Sequence, residues 1–336
     1  MLDMLRSYDP AMEELHCGHG SVLLPPSLGG RIFCQLGGEL IHRLDLALLK
    51  NPSATEYDNL GGNSLWPAPE GGAFAFNYPS GSDTWMVQDG IAKAAVKVTL
   101  SNGNSATACK RILLTNRKGV HLDLDYRRVV VTPDSVDSLE EYAVEWVSYH
   151  TEDIFEPRAA YPVEEVLLAP WSLEQFPGSD GIVAFGTAAV PDDALNLDFY
   201  GSPGDRISWN GTCFAFRLGG PDRHQIGVRV KSRPGLIGAL DRERSLLILR
   251  KTASLEGRYF NIADNEQSAG PFSTADLYSI FNGGALGFYE LETIGAMQSS
   301  GGTLTACALS SQTLILKGPI GELMRYLSEQ EGVVLP

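Results

Sequence analysis

Asn59-Leu60-Gly61-Gly62-Asn63-Ser64-Leu65-Trp66-Pro67-Ala68-Pro69-Glu70-Gly71-Gly72 is the stretch around which the chain is organised. Four glycines and two prolines within it exclude a helix. The same residues carry a wide aromatic face, two amides and a carboxylate. Two readings follow from that chemistry. One is a loop that presents Asn63, Trp66 and Glu70 to a ligand. The other is a tight, partly buried connection in a β protein, with Trp66 filling a gap.

Outward from this stretch the dominant period is two. Pro25-Pro26-Ser27-Leu28-Gly29-Gly30 ends a lead-in segment, residues 1–27, and Arg31–Leu36 reads as the first core strand. Glu39–Lys50 fits either a strand or a short helix. Ala92–Leu100 alternates, with Ala92, Ala94, Val96 and Val98 opposed to Lys93 and Lys97. After the turn Asn102-Gly103-Asn104, a return strand spans Ala106–Asn116. His121, Asp123 and Asp125 alternate with Leu122, Leu124 and Tyr126, and Tyr142, Val144 and Trp146 repeat the pattern up to His150. Further strands are expected at Gly181–Val190, Gly211–Leu218, Gln225–Lys231, Ser245–Lys251, Ala285–Ile294, Gly302–Leu309 and Thr313–Leu316. Helical periodicity is confined to Pro319–Gln330 and a short piece at Val163–Leu168. Many short strands separated by 36 Gly and 19 Pro indicate an all-β antiparallel sandwich or barrel, most simply one domain.

With 336 residues, 43% of them hydrophobic, the chain can bury a sizeable core. Its 41 Asp and Glu against 26 Lys and Arg leave a formal charge of −15, which repels phosphate backbones and anionic lipid heads. Nucleic acid and membrane are therefore not the expected partners. The first twenty residues lack the apolar core of a secretory signal, and no window reaches the ~18 apolar residues of a spanning helix. Five widely spaced cysteines argue against a disulfide framework. A cytoplasmic location is expected, although a mature secreted form would read the same way. Only in that case would Asn210-Gly211-Thr212 matter as a glycosylation acceptor.

Candidate sites come next. On a strand, Glu290 and Glu292 share one face with Phe288, while Tyr289 and Leu291 take the other. Two carboxylates about 7 Å apart along a sheet can bind sugar hydroxyls or a cation, or supply a general base. A water-facing strand would display the same pattern. His150, followed by Thr151-Glu152-Asp153 at an expected strand end, reads as a general acid or as a surface histidine in a turn. Trp171 and Gln175, in Trp171-Ser172-Leu173-Glu174-Gln175, suit a sugar platform with a directional amide, or a core Trp anchoring a crossing segment. His16-Cys17-Gly18-His19 is half of a zinc pattern with no second pair, so no metal is expected. No nucleophile elbow, phosphate loop or dinucleotide fingerprint occurs, and no cofactor is expected.

Taken together, Gly61–Glu70 and Phe288-Tyr289-Glu290-Leu291-Glu292-Thr293 resemble the galactose mutarotase (aldose 1-epimerase) superfamily. More narrowly, they resemble a bacterial branch with a Gly-Gly-x-x-Leu-Trp-Pro-Ala-Pro-Glu loop. Ala169–Gln175 and Gly257-Arg258-Tyr259 fall in the matching order, so the resemblance spans residues 28–318. It implies a single large antiparallel β-supersandwich over residues 28–336, with a sugar-sized groove on its concave face. It also implies a small-molecule carbohydrate as partner, Glu292 as the base that deprotonates the anomeric hydroxyl, and His150 as the acid at the ring oxygen. Asn63, Trp66, Glu70, Trp171, Gln175 and Glu290 would contact the sugar. Four departures stand against this pattern. Ile294 replaces the usual Gln, only His150 and Thr151 remain of the Asn-His-Ser/Thr-Tyr-Phe-Asn-Leu segment, a second His-Gly element has no counterpart, and Leu65-Trp66-Pro67-Ala68-Pro69-Glu70 stands in place of the usual Asn-Arg-Ile loop. Two functions are therefore expected: an aldose 1-epimerase-like isomerase, or a sugar-binding or sensing domain without turnover. A hydrolase is the weaker third, because two carboxylates on one strand lie side by side and do not flank a bond.

Overall fold

The computed structural model describes residues 2–53, 57–92, 95–260 and 275–336. Its strands pair antiparallel in three sheets of four, six and eleven strands. The large sheet is built from the strongest alternations in the sequence. In His121–Val131, Leu122, Leu124 and Tyr126 are buried while His121 is exposed. This strand lies between Ser105–Thr115 and Glu145–Pro157. The two expected strands near 302–316 are one, Thr303–Lys317, which pairs from Cys307 to Lys317 with Phe155 back to Glu145 and, over its first residues, with Ala296–Ser300. His150 therefore lies within a strand, not at its end, because Thr151, Asp153 and Phe155 continue the buried alternation.

Three other expectations are corrected. Residues 1–27 carry two strands, Glu13–Cys17 and Gly20–Leu24, which join Phe33–Leu36 and Glu39–Leu40 in the four-stranded sheet. Leu15, Val22 and Leu24 from that segment pack in the same cluster as Phe176, Ile226 and Tyr289. Val163–Leu168 is a turn and extended chain, not a helix. Ahead of Lys97–Asn102 the chain is helical at Asp89–Ala92; residues 93–94 of that expected strand lie outside the described residues. Glu39–Lys50 divides into a short strand and the helix Leu46–Lys50, whose first amides are capped by Asp45 at 3.1 Å. The expected helix near the C-terminus is present as Ile320–Gln330.

The six-stranded sheet carries the site. Its edge strand, Gly62–Ala68, belongs to the stretch read as a loop from its glycines and prolines. An edge tolerates Pro67 because only one side of the strand must donate to a ladder. This strand pairs with Ala169–Pro177, placing Trp66 opposite Trp171 and Gly62 opposite Gln175. Ala169–Pro177 pairs in turn with Phe288–Ile294, placing Leu173 opposite Glu292 and Gln175 opposite Glu290. Asp276–Asn282 and His224–Arg229 follow. Gly61 makes the entry to the edge strand possible. Its φ is +91°, and a Cβ there would lie 2.1 Å from the Arg43 carbonyl oxygen, which the Gly62 amide uses at 3.0 Å. Gly61→Ala is expected to destabilise the fold by roughly 1–3 kcal/mol in chemical denaturation, combining left-handed strain with displacement of that carbonyl.

Between the six- and eleven-stranded sheets lies a buried ionic layer. Arg250 Nε meets Glu174 Oε2 at 2.8 Å, and the same guanidinium donates to the carbonyls of Ser172 and Leu291. Tyr149 and Thr313 hydroxyls donate to the Glu174 carboxylate. His42 Nδ1 accepts from the Cys34 amide, which leaves the proton on Nε2 to donate to Glu174 Oε1 at 2.8 Å. Beside this group Arg128 pairs with Asp153 at 2.9 Å and donates to the Asn63 and Ser172 oxygens. Burial opposes ionisation of Glu174, but Arg250 and the hydrogen bonds from His42 and Tyr149 outweigh it and hold its carboxyl at about 2.

Candidate functional site

The face of the six-stranded sheet opposite the ionic layer forms the floor of a cavity of about 220 Å³. Register explains who faces it. Ser64 and Trp66, Trp171, Leu173 and Gln175, and Phe288, Glu290 and Glu292 all share one side of their strands. Tyr289 and Leu291 point to the other side, where Tyr289 stacks on Phe176. The carboxylates are not on a water-facing strand: Glu290 is 7% and Glu292 0% exposed.

Each carboxylate is positioned by an amide or indole. Gln175 Nε2 donates to Glu290 Oε1 at 2.6 Å and to Asn59 Oδ1 at 2.9 Å. Trp171 Nε1 donates to Glu292 Oε2 at 2.9 Å, and Gln225 Nε2, held by Ser279, lies 3.3 Å from both Glu292 oxygens. Glu290 and Glu292 also hydrogen-bond to each other, which requires a proton between them. Burial pushes Glu290 up to about 7, against the pull of Gln175, Glu292 and the nearby Arg43. Burial and then the charge of Glu290 push Glu292 well above the usual carboxylate range. The pair thus holds a proton donor and an incipient base side by side near neutral pH.

The walls are aromatic. Tyr57 meets Trp66 edge-on at 5.3 Å between ring centroids, and Trp66 meets Trp171 edge-on at 6.0 Å. Trp85 lies nearly parallel to Trp66 at 6.4 Å, and its Nε1 donates to Glu70 Oε1 at 2.8 Å. Phe281, Phe288, Leu286, Tyr200 and Arg223 complete the lining, with the Arg223 guanidinium 4.7 Å from the Tyr200 ring centroid.

Six of the eight residues singled out from sequence therefore line the cavity: Trp66, Glu70, Trp171, Gln175, Glu290 and Glu292. Two do not. Asn63 is fully buried on the opposite side of its strand, with Nδ2 donating to the Tyr149 hydroxyl and Oδ1 accepting from Arg128 and Ser172. His150 lies in the eleven-stranded sheet, and its Nε2 is 3.2 Å from Ser310 Oγ. Its neighbours Tyr149 and Thr151 take the inter-sheet side, so alternation turns His150 away from that side. None of the six histidines, all among the described residues, lines the cavity. Tyr57, Trp85, Gln225, Arg223 and Phe281 were not legible as site residues. They are brought in by turns and by strand neighbours that no local pattern links to Glu290. The half zinc pattern at His16–His19 runs from the end of the first strand, where His16 and Cys17 pair with Ser21 and Gly20, into the turn at Gly18 and His19, where His19 stands edge-on to Trp146.

The raised carboxyl groups have a consequence for stability. The folded state keeps protons on the pair that the unfolded chain releases near pH 4.5, so this contribution is full below that pH and is lost as pH rises towards and beyond 7. Glu290→Gln is expected to flatten that slope and to stabilise the protein at pH 8 by on the order of 1–3 kcal/mol. Thermal unfolding between pH 5 and pH 8 measures it; an unchanged slope would remove the proton-sharing pair from the account.

A family described as "Family of unknown function (DUF6786)" matches residues 2–305. The chain belongs to this family. Comparison of this DUF6786 member with curated proteins finds no significant match. Solved structures resemble it more closely in shape than in sequence. One, from Escherichia coli K12, is provisionally described as an aldose 1-epimerase; it is 14% identical, with 91% of this chain and 98% of that chain covered and a TM-score of 0.51. The Slr1438 protein from Synechocystis sp. PCC 6803 is 12% identical over 91% and 94% of the two chains, with a TM-score of 0.54. A galactose mutarotase-like protein from Lactobacillus casei ATCC 334 is 11% identical over 91% and 99%, with a TM-score of 0.49. The DUF6786 chain has the β-sandwich fold of the first two of these structures, the galactose mutarotase-like architecture that its sequence resembles. Identities this low speak for the fold alone. No helix among the described residues is long and apolar enough to cross a membrane.

Proposed function

We propose that the cavity binds a small carbohydrate and that the Glu290–Glu292 pair interconverts its anomers. The observation that carries this reading is two buried, mutually hydrogen-bonded carboxyl groups at the floor of an aromatic-walled hollow. Aromatic faces suit the C–H faces of a sugar ring, and the amides of Gln175 and Gln225 with Ser64 suit its hydroxyls. Anomer interconversion needs a base at the anomeric hydroxyl and an acid at the ring oxygen, two atoms on the same carbon. The ionised member of the pair takes the proton from O1 as the C1–O5 bond breaks and C1=O1 forms. The protonated member delivers a proton to O5. Rotation about C1–C2 and the reverse steps give the other anomer. In this scheme the pair takes over the acid role for which His150 was the candidate.

A second reading is favoured by one observation. Both Glu292 oxygens are already occupied by Trp171 and Gln225, and no histidine lines the cavity, which suits a sugar-binding or sensing domain without turnover. Magnetisation-exchange NMR on glucose, galactose, mannose and xylose separates the two. Anomer exchange faster than buffer supports the enzyme; calorimetric binding with exchange at the buffer rate supports the binding domain; neither result for any sugar overturns both.

A further inference from the structure

We propose that Arg43, acting through Gln175, fixes the shared proton on Glu292 and the negative charge on Glu290. The placement itself needs no ligand. Only its catalytic meaning rests on the anomer-exchange reading above, where it makes Glu290 the base and Glu292 the acid, with Arg43 and Gln175 as positioning residues. That order reverses the role that the resemblance implies for Glu292.

The orientation of Gln175 follows from its neighbours. A guanidinium carries donors only. Arg43 Nη1 donates to the Asn59 carbonyl at 2.7 Å and lies 3.2 Å from one terminal atom of the Gln175 amide, so that atom is Oε1. Nε2 therefore faces Glu290 Oε1 at 2.6 Å and Asn59 Oδ1 at 2.9 Å, and both of its protons are used. Turned the other way, Gln175 would set its NH2 against the guanidinium and its carbonyl against a carboxyl group. Arg43 is itself held in place. Its Nη2 pairs with Asp45 Oδ2 at 2.9 Å, and its guanidinium lies 4.9 Å from the Phe288 ring centroid. Its backbone bonds the Gln175 carbonyl and the Gly62 amide, each at 3.0 Å.

The two carboxyl groups thus sit in unlike surroundings. Arg43 bonds the sheet where Gly62, Gln175 and Glu290 stand in register, whereas Glu70 follows the edge strand at its other, Trp171 end. Trp171 Nε1 donates to Glu292 Oε2 at 2.9 Å, while Gln225 Nε2 is shared at 3.3 Å between both Glu292 oxygens and is already bonded to Ser279. This leaves Oε1 to carry the proton. Burial raises both groups. Against it, Gln175, Glu292 and Arg43 all pull Glu290 down, whereas the charges of Glu290 and Glu70 push Glu292 further up. Besides the pair itself, the charged and titratable groups facing it among the described residues are Arg43, Tyr57, Glu70 and Arg223. In anomer exchange the Glu290 carboxylate takes the O1 proton and Glu292 gives its proton to O5 as C1–O5 breaks and C1=O1 forms. The pair keeps one proton throughout, and ring closure returns it to Glu292.

Carbon-13 NMR of the intact protein, labelled at the glutamate carboxyl carbon, tests the placement without any ligand. Glu290→Gln and Glu292→Gln assign the two signals by their loss. At pH 8 the Glu290 signal is expected at the carboxylate position and the Glu292 signal at the carboxylic-acid position, with Glu290 titrating at about 7. Arg43→Gln and, separately, Gln175→Leu should raise the Glu290 midpoint by about one pH unit, a change that a role in folding alone does not produce. Thermal unfolding reports whether each variant folds, and the parent spectrum decides the placement whether or not they do. Glu292 ionised and Glu290 protonated in the parent at pH 8 would overturn the inference and leave the anomer-exchange reading intact. A Glu290 midpoint unmoved in both folded variants would overturn the part given to Arg43 and Gln175. The expected spectrum from a protein that exchanges every sugar at the buffer rate would uphold the placement and overturn only the catalytic reading.

Discussion

Glu292→Gln is expected to lower the rate of anomer interconversion by about 10²–10⁴-fold, with sugar affinity changed by less than tenfold. The amide keeps an acceptor for Trp171 Nε1 and fills the same space, so the cavity retains its shape. What it removes is the shared proton. Glutamine neither takes the anomeric proton nor passes one to the ring oxygen, and Glu290 is left without the carboxyl neighbour whose hydrogen bond pulls it down against burial. Exchange NMR and calorimetry on the same preparation give the two numbers needed. If the variant interconverts anomers as fast as the parent, the carboxyl pair is not the catalytic group. If the parent itself runs at the buffer rate yet binds sugar, the non-catalytic reading stands.

The second large effect concerns the layer beneath the site. Glu174→Ala is expected to destabilise the protein by roughly 3–5 kcal/mol, because it leaves Arg250 fully buried without its carboxylate. The Tyr149 and Thr313 hydroxyls and the His42 Nε2–H lose their acceptor in the same step. A fall in the thermal midpoint on the order of 10 °C would register it. Removing both charges, as in Glu174→Leu with Arg250→Met, should recover much of the loss, since a well-packed apolar pair avoids the desolvation of two ions. A single variant within about 1 kcal/mol of the parent would show that the ion pair is not what holds the two sheets in register. Because Glu174 is held at about 2, its stabilising contribution is present above pH 4.5 and fades only as pH falls towards 2. The Glu290–Glu292 pair acts in the opposite sense above pH 4.5. The two sets of buried acids therefore differ in role although they lie on adjacent strands of one sheet.

The chain's own chemistry was enough for the large sheet and for one face of the site. In His121–Val131 a strict alternation meets a half-buried sheet, so composition and burial agree residue by residue. Glu290 and Glu292 are two apart on a short apolar run, and the period of a strand places both on one face whatever they pack against. Two of the eight residues lie away from the cavity for a related reason. Read as a loop, Gly61–Glu70 imposes no parity on its side chains, and Asn63 and Trp66 could both reach a ligand. As an edge strand it does impose parity, and residues three apart face opposite ways, Trp66 into the cavity and Asn63 into the ionic layer. His150 is turned away likewise once Glu145–Pro157 is a continuous strand. What no local pattern could supply was the partner of each carboxylate. Trp171, Gln175 and Gln225 meet the pair across strand pairings formed by residues more than fifty positions distant in sequence, and Trp85 arrives through a turn packed on Glu70. Solvent exclusion by those neighbours, not residue type, turns two ordinary glutamates into groups that hold a proton near neutral pH.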